Sequence, residues 1–301
     1  NRETGGLGVT HVVAKLDSLR CKHVYNFLTA PYARWHDYAA YWIGQQLGQF
    51  KPEYALNSRP HAEMPNDFYR TALTIFYLMR DMKPGIVISD LVSKKAYKTI
   101  LDLISKRPVI TDKFPHIDFD RTWKALNSKL LSPRPRDLCW RIAHHVLPVN
   151  SYLFHLHINR NALCPFCRWP ETLTHRFFSC RAVRPLWKIV ESWASAAAGF
   201  PITVSADTVV FMQKTNTGGN EDMLAILTSE LNYAIWTQRN RLKYEKKNPN
   251  TADIKSLFEH FVRTRILADH LRLDTDVFAR LWCSGQPPLA TAVGQDVVVN
   301  I

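Results

Sequence analysis

Cys164-Pro165-Phe166-Cys167-Arg168-Trp169-Pro170-Glu171-Thr172-Leu173-Thr174-His175-Arg176-Phe177-Phe178-Ser179-Cys180 puts three cysteines and a histidine within 17 residues, spaced C-x2-C-x7-H-x4-C. Zinc takes thiolate and imidazole ligands in a tetrahedron. A tight Cys-Pro-Phe-Cys turn aims two sulfurs at one point, and a short helix after Pro170 returns His175 and Cys180 to it. Five residues apart on an ideal α-helix, those two side chains point about 140° away from each other. The helix must therefore end or bend between them. The alternatives are a disulfide, disfavoured in an intracellular chain, or buried free thiols beside an unrelated histidine. We read Cys164, Cys167, His175 and Cys180 as the ligands of one zinc ion. Four protein ligands leave no position for water, so the ion is structural rather than catalytic. Cys21, Cys139 and Cys283 stand alone and read as core residues.

Working outward, the surroundings of the cluster are basic. The 301-residue chain carries a net charge of +13. Residues 121–190 hold twelve lysines and arginines against two acids, Asp137 and Glu171. Bases interleaved with Trp, Tyr, Phe and His suit a phosphate backbone with stackable bases, since counterion release supplies affinity and an aromatic face accepts any base. Three thiolates also leave the metal site one negative charge in excess, which Arg168, Arg176 and Arg181 could offset. Sequence does not separate that role from phosphate contact.

The composition, 46% apolar and 22% charged, is that of a globular chain with material for real cores. No apolar run approaches the roughly 18 residues of a membrane span, and the N-terminus is not a signal peptide. The expectation is a soluble, intracellular protein with no membrane partner, and, since residue 1 is not Met, part of a longer polyprotein.

Apolar spacing divides the chain into three parts and predicts a mainly α fold. Residues 1–120 read as helical: apolar residues recur at three- and four-residue steps through Val13, Leu16, Leu19, Val24, Phe27 and Leu28, and again through Phe68, Ala72, Ile75 and Met79. Trp35, Tyr38, Tyr41, Trp42 and Ile43 continue the pattern as helix-packing residues. Pro52, Asn57, Ser58, Pro60 and Pro65 mark a loop, and a short helix is expected from Ser89 to Lys106. Residues 121–195 form the zinc-binding part, with one helix carrying Leu138, Ile142, His145 and Val146 up to Pro148 and another carrying Tyr152, Leu153, Leu156 and His157. Residues 196–301 are expected to open with a linker over Ser195–Ser205 and a strand at Thr208–Met212. Two long helices follow, Glu221–Lys247 and Ile254–Leu273, before a loosely ordered tail from Gly285. The cations Arg239, Arg241, Lys243, Lys246 and Lys247 suit either a helix C-terminus or nucleic acid.

The run Trp140-Arg-Ile-Ala-His-His-Val-Leu-Pro148, then Asn161-Ala-Leu-Cys-Pro-Phe-Cys167, Glu171-Thr-Leu-Thr-His175, Cys180 and Trp187 resembles the zinc-binding region that follows the polymerase in non-LTR (LINE-type) retrotransposon reverse transcriptases. Gly5-Gly-Leu-Gly-Val9 is similar to the start of the thumb in those polymerases, and Ile235-Trp-Thr-Gln-Arg-Asn-Arg241 to a helix that often follows the zinc region. The resemblance implies a helical thumb-like segment, a small helical CCHC zinc-knuckle domain and a helical C-terminal segment. It also implies upstream polymerase domains of the same polyprotein as partners, with RNA or DNA gripped during target-primed reverse transcription. The matching locations are the nucleus at the site of action and the cytoplasm as a ribonucleoprotein.

Catalysis is not expected from this stretch. Two-metal polymerases need paired aspartates, and the sequence contains no Asp-Asp. It has no Gly-rich phosphate loop, Gly-x-Ser-x-Gly or His-Glu-x-x-His. A nuclease reading rests on Asp207 and Glu245-Lys246-Lys247 alone. His144, His145, His155 and His157 read as packing residues rather than a second metal site. The expected phosphate contacts are Arg160, Arg168, Arg176, Arg181 and Arg184, with Trp169 and Phe166 stacking on bases; Phe177 and Phe178 read as core. The competing reading is a truncated or host-retained, zinc-stabilised protein-interaction module, which predicts an exposed apolar patch.

Overall fold

The computed structural model describes residues 5–6, 9–30, 32–44, 67–105, 108–213, 221–245, 250–293 and 296–301. The expected loop at Pro52–Pro65 and the lysines Lys246 and Lys247 lie outside the described residues. The fold is mainly α, as expected, and divides into two compact units, Gly6–Lys106 and Arg107–Ile301, the second also taking in Gly5.

In the first unit α1 (Val12–Thr29) packs against α2 (Asp67–Met82) and α3 (Ser93–Ile104). Its buried face is Ala14, Ser18, Cys21, Val24, Phe27 and Leu28, meeting Ala72, Phe76, Met79, Ala96 and Ile100. The spacing is the expected one, but the phase differs over the first turns. Val13, Leu16 and Leu19 are exposed, and the small residues beside them face inward. Small side chains let a neighbouring helix close in, as the approach of Ser18 Oγ to Ser93 Oγ at 3.4 Å records. Cys21 is a core residue whose Sγ lies 3.2 Å from Met79 Sδ. The helix expected over Ser89–Lys106 is split: a 3₁₀ turn at Ile88–Leu91 precedes α3.

The second unit is built from α4 (Phe119–Leu126), α5 (Pro133–Ala143), α6 (Asn150–His155), α7 (Arg184–Ala198), α8 (Ala206–Phe211), α9 (Glu221–Glu245) and α10 (Thr251–Arg272). Helix starts follow local chemistry: Asp118 caps Arg121 N–H, Pro133 occupies the first turn of α5, Ser205 caps Thr208 N–H and Asn250 caps Ala252 N–H. The long helix α9 is buried almost all round, which is the condition of a central helix. Inside the core its Asn232 Nδ2 donates to Val209 O at 3.1 Å.

The two units meet in sequence near residue 106. Within the second unit two expectations change for one reason. The linker expected over Ser195–Ser205 starts later, because α7 runs to Ala198 and ends on Gly199 in the left-handed conformation, leaving residues 199–205 to lead into α8. Thr208–Phe211 is helix, not strand. In each case the apolar residues after 196, including Ile202, Val204, Val209, Leu227, Ile235 and Phe258, enter the same core as Cys164, Phe177, Cys180 and Trp187. A β-branched run such as Val209-Val210 suits either structure, and tertiary packing decides it.

The described residues of the tail form a two-stranded sheet. Strands β1 (Ala290–Val293) and β2 (Asp296–Val299) pair antiparallel with Ala290 opposite Val299. Arg263 of α10 donates to Ile301 O at 2.7 Å. Among the described residues no helix is long and apolar enough to cross a membrane.

Gly5, expected to open the thumb-like segment, sits against the helices of the second unit. Trp140 Nε1 donates to Gly5 O at 2.7 Å, and a Cβ on Gly5 would lie 2.8 Å from the Trp123 ring. With φ at +84°, the position suits glycine alone.

Candidate metal centre

The segment 162–171 folds back on itself around one antiparallel bridge between Leu163 and Pro170. Cys164 N donates to Trp169 O at 2.7 Å and Arg168 N to Cys164 O at 3.0 Å. Arg168 takes the left-handed conformation that tightens the turn, with φ at +65°. This brings Cys164 and Cys167 to one side. The chain then enters a π-helical turn, His175–Ser179, closed by Cys180 N donating to His175 O at 2.8 Å. An i→i+5 bond widens the turn so that residue 180 comes round above residue 175, where an α-helix would have turned it away. Cys180 itself is extended. The bend required by the spacing is therefore a π turn with an abrupt end.

The four ligand atoms of Cys164, Cys167, His175 and Cys180 all lie within 4.8 Å of one another. Cys164 Sγ and Cys180 Sγ are 3.8 Å apart, Cys167 Sγ and Cys180 Sγ 3.9 Å, and Cys167 Sγ and His175 Nε2 3.1 Å. Zn–S bonds near 2.3 Å in a tetrahedron put sulfurs about 3.8 Å apart, so the donor set fits zinc. The Cys164 thiol is pushed down to about 4, chiefly by the hydrogen bond from Cys180, with burial opposing and Arg176 assisting. Cys180 is pushed up by that shared hydrogen bond and by burial, against Arg176. Proton sharing between close sulfurs ends when a cation takes both. One structural zinc ion is the cofactor of this fold.

Arg176 is fully buried, which overturns its expected role at phosphate. Its guanidinium stands 4.7 Å over the Phe166 ring, points Nη2 at Cys180 Sγ (3.8 Å) and pairs Nη1 with Glu171 Oε1 (3.4 Å). Of the three arginines that could offset the excess thiolate charge, Arg176 is the one turned inward. Phe166, expected to stack on bases, is half-buried with that guanidinium over its ring.

Glu171 is the residue that sequence reasoning missed. Its side chain is wholly buried, and Oε2 accepts from Asn150 N at 2.8 Å and from Arg239 Nη2 at 3.2 Å. Asn150 N is one of the unpaired donors at the start of α6, so the carboxylate caps that helix from a distance in sequence. Arg239, also buried, donates further to Pro148 O at 2.9 Å and Asn150 Oδ1 at 3.1 Å, and lies 4.9 Å over the Trp236 ring. Charges thus alternate from the thiolates through Arg176 and Glu171 to Arg239. The available signals were a lone acid in a basic stretch and an arginine falling on the apolar face of α9.

The other expected contacts stay at the surface: Arg160, Arg168, Arg181 and Arg184 are exposed, and Trp169 is 71% exposed. Phe177 is core, Phe178 packs against it, and Trp187 Nε1 donates to Phe177 O at 2.8 Å, pinning α7 to the π turn. His144 stacks on Trp123 and His145 on Phe211, while His155 and His157 are exposed. Asp207 lies in the first turn of α8, 4.0 Å from His116, on a helix where a strand was expected.

Residues 94–187 match the family model described as zinc-binding in reverse transcriptase, and all four ligands fall inside the match. Over 150 residues the chain is 29% identical to the transposon TX1 uncharacterized 149 kDa protein of Xenopus laevis, covering 49% of this chain and 11% of that protein. The chain thus spans about a tenth of the length of that relative. No solved structure matches. Residues 94–187 are thus similar to the zinc-binding region of reverse transcriptases.

Proposed function

We propose that the second unit grips a nucleic-acid strand, template RNA or target DNA, for the reverse transcriptase of a non-LTR retrotransposon during target-primed synthesis. The upstream polymerase domains of the same polyprotein are its partners in this reading. The observation that carries it is the set of exposed arginines around the metal centre. Among the described residues Arg160, Arg168, Arg181 and Arg184 make no ion pair, while Arg176 and Arg239 are consumed inside. Unpaired guanidinium groups held on a metal-stiffened loop suit phosphate, and exposed Trp169 beside them offers a stacking face. The relative's description as a transposon protein agrees with this setting. Mobility shift of the zinc-loaded chain with labelled RNA and DNA at rising salt tests it. Binding that weakens steeply with salt is expected; no binding at low salt would sink it.

A second reading has its own observation. Tyr152, Phe154, Leu156 and Ile158 are all exposed on and just after α6. Such a patch suits contact with another protein surface. Reversing Arg181 and Arg184 to Glu separates the two: loss of strand binding with an intact fold supports the grip, and unaffected function supports a protein-interaction module.

A further inference from the structure

Between the zinc loop and α9 lies a cavity of about 450 Å³ whose lining includes Arg160, Arg168, Arg239, Lys243, Asn159 and Asn161. Its size is within the range of sites that hold a small ligand or one nucleotide unit, roughly 300–1,000 Å³. No acid lines it. Four cationic side chains converge there from two elements 70 residues apart, and only Arg239 is neutralised, by Glu171 behind it. Among the described residues Arg160, Arg168 and Lys243 have no acidic partner. The Lys243 ammonium is held below its usual range, first by burial and then by the Arg239 guanidinium, with Glu171 opposing. Like charges gathered in a concave site raise each other's energy, and an anion placed among them relieves it.

The side-chain amides point the same way. Asn150 spends its groups on Leu163 O, Asn159 and Arg239, so it fixes the wall. Among the described residues Asn159 bonds only through Nδ2, donating to Asn150 Oδ1, and Asn161 only through Oδ1, accepting from Leu163 N. Each keeps its other polar end for a ligand, beside the cations. The wall is rigid because Asn150 and Arg239 are held by the buried Glu171 carboxylate.

We infer that this cavity seats a backbone phosphate of the bound nucleic-acid strand, contacted by Arg160, Arg168 and Lys243. The inference rests on the nucleic-acid reading above and assigns it a place. Arg181 and Arg184 do not line the cavity and act as outer contacts.

The test compares the zinc-loaded 301-residue chain with R160Q/K243Q, R168N and R181Q, using one labelled 20-nucleotide RNA and the DNA of the same sequence. Asparagine is chosen at 168 because it tolerates the left-handed backbone there. Zinc content and thermal unfolding confirm that each variant is folded. Each lost phosphate contact lowers the slope of log K against log salt by about one. R160Q/K243Q is therefore expected to lower it by about two, R168N by about one, and both to weaken binding to any base sequence alike. If the wild type binds and R160Q/K243Q keeps its slope, the cavity assignment is wrong and the wider reading stands. If the wild type binds neither strand at low salt, both fall.

Discussion

Glu171 and Arg239, 68 residues apart in sequence, meet at 3.2 Å with both side chains buried. Glu171 also holds Arg176, whose guanidinium faces Cys180, so the metal centre and the central helix α9 are joined by one line of alternating charge. A buried pair of this kind is weak evidence of net stabilisation, but breaking it strands a charge in the core.

Glu171→Ala is accordingly expected to destabilise the second unit by about 3–5 kcal/mol, measured by urea unfolding of the zinc-loaded protein. Arg239→Met should cost less than the Glu171 change, because Glu171 keeps Arg176 and Asn150 N as partners. A double-mutant cycle on the pair should give a coupling on the order of 0.5–3 kcal/mol. Additive single changes would mean that the contact carries no energy.

Zinc should bind at one ion per chain and be lost in Cys164→Ser and Cys180→Ser, read by colorimetric zinc titration of the unfolded protein. Thiols must lose protons to ligate, so binding releases protons and affinity falls as pH falls. Retention of a full equivalent in Cys180→Ser would remove that residue from the ligand set.

Arg176 and Arg181 are both arginines next to the cluster, yet they should behave in opposite ways. Arg176→Gln is expected to weaken zinc binding roughly 10–100-fold, as loss of an outer hydrogen-bond partner of a ligand does. Arg181→Gln should leave zinc affinity unchanged and weaken strand binding. Competition against a fluorescent chelator gives the first quantity and the salt series the second. Equal effects on zinc would contradict the inward placement of Arg176.

Glu230 on α9 supplies a pH test away from the metal. Burial pushes its carboxyl up to about 7, with Arg265 and Ser132 pulling down and Asp269 adding to the rise. The folded state therefore holds a proton that the unfolded chain releases near 4.5. Its contribution is intact below that pH and is lost as pH rises toward 7, by about 3 kcal/mol at most. Glu230→Gln should gain on the wild type steadily across that window in zinc-saturated unfolding experiments. A constant difference between the two proteins would show that Glu230 does not titrate there.

Much of this architecture can be read from the sequence where chemistry is local. The C-x2-C-x7-H-x4-C spacing names four ligands, requires a break before Cys180 and sets the charge excess of the site. The helices 221–245 and 251–272 follow from apolar periodicity. What is not legible is phase and partnership. Val13, Leu16 and Leu19 have the right spacing on the wrong face, since only the neighbours of α1 decide which stripe is covered. Thr208–Phe211 reads as strand until it is seen packed on α5 and α9. Arg176 looks in sequence like the surface arginines beside it, and a single buried carboxylate, Glu171, pairs with both Arg176 and the distant Arg239.

Glu171 ties the zinc centre and α9 into one cooperative unit that carries exposed arginines on its surface. Hydrogen exchange of the whole chain before and after zinc chelation tests it most directly. Amides of 221–245 are expected to lose protection together with those of 162–180. Loss confined to 162–180, with α9 still protected, would contradict it.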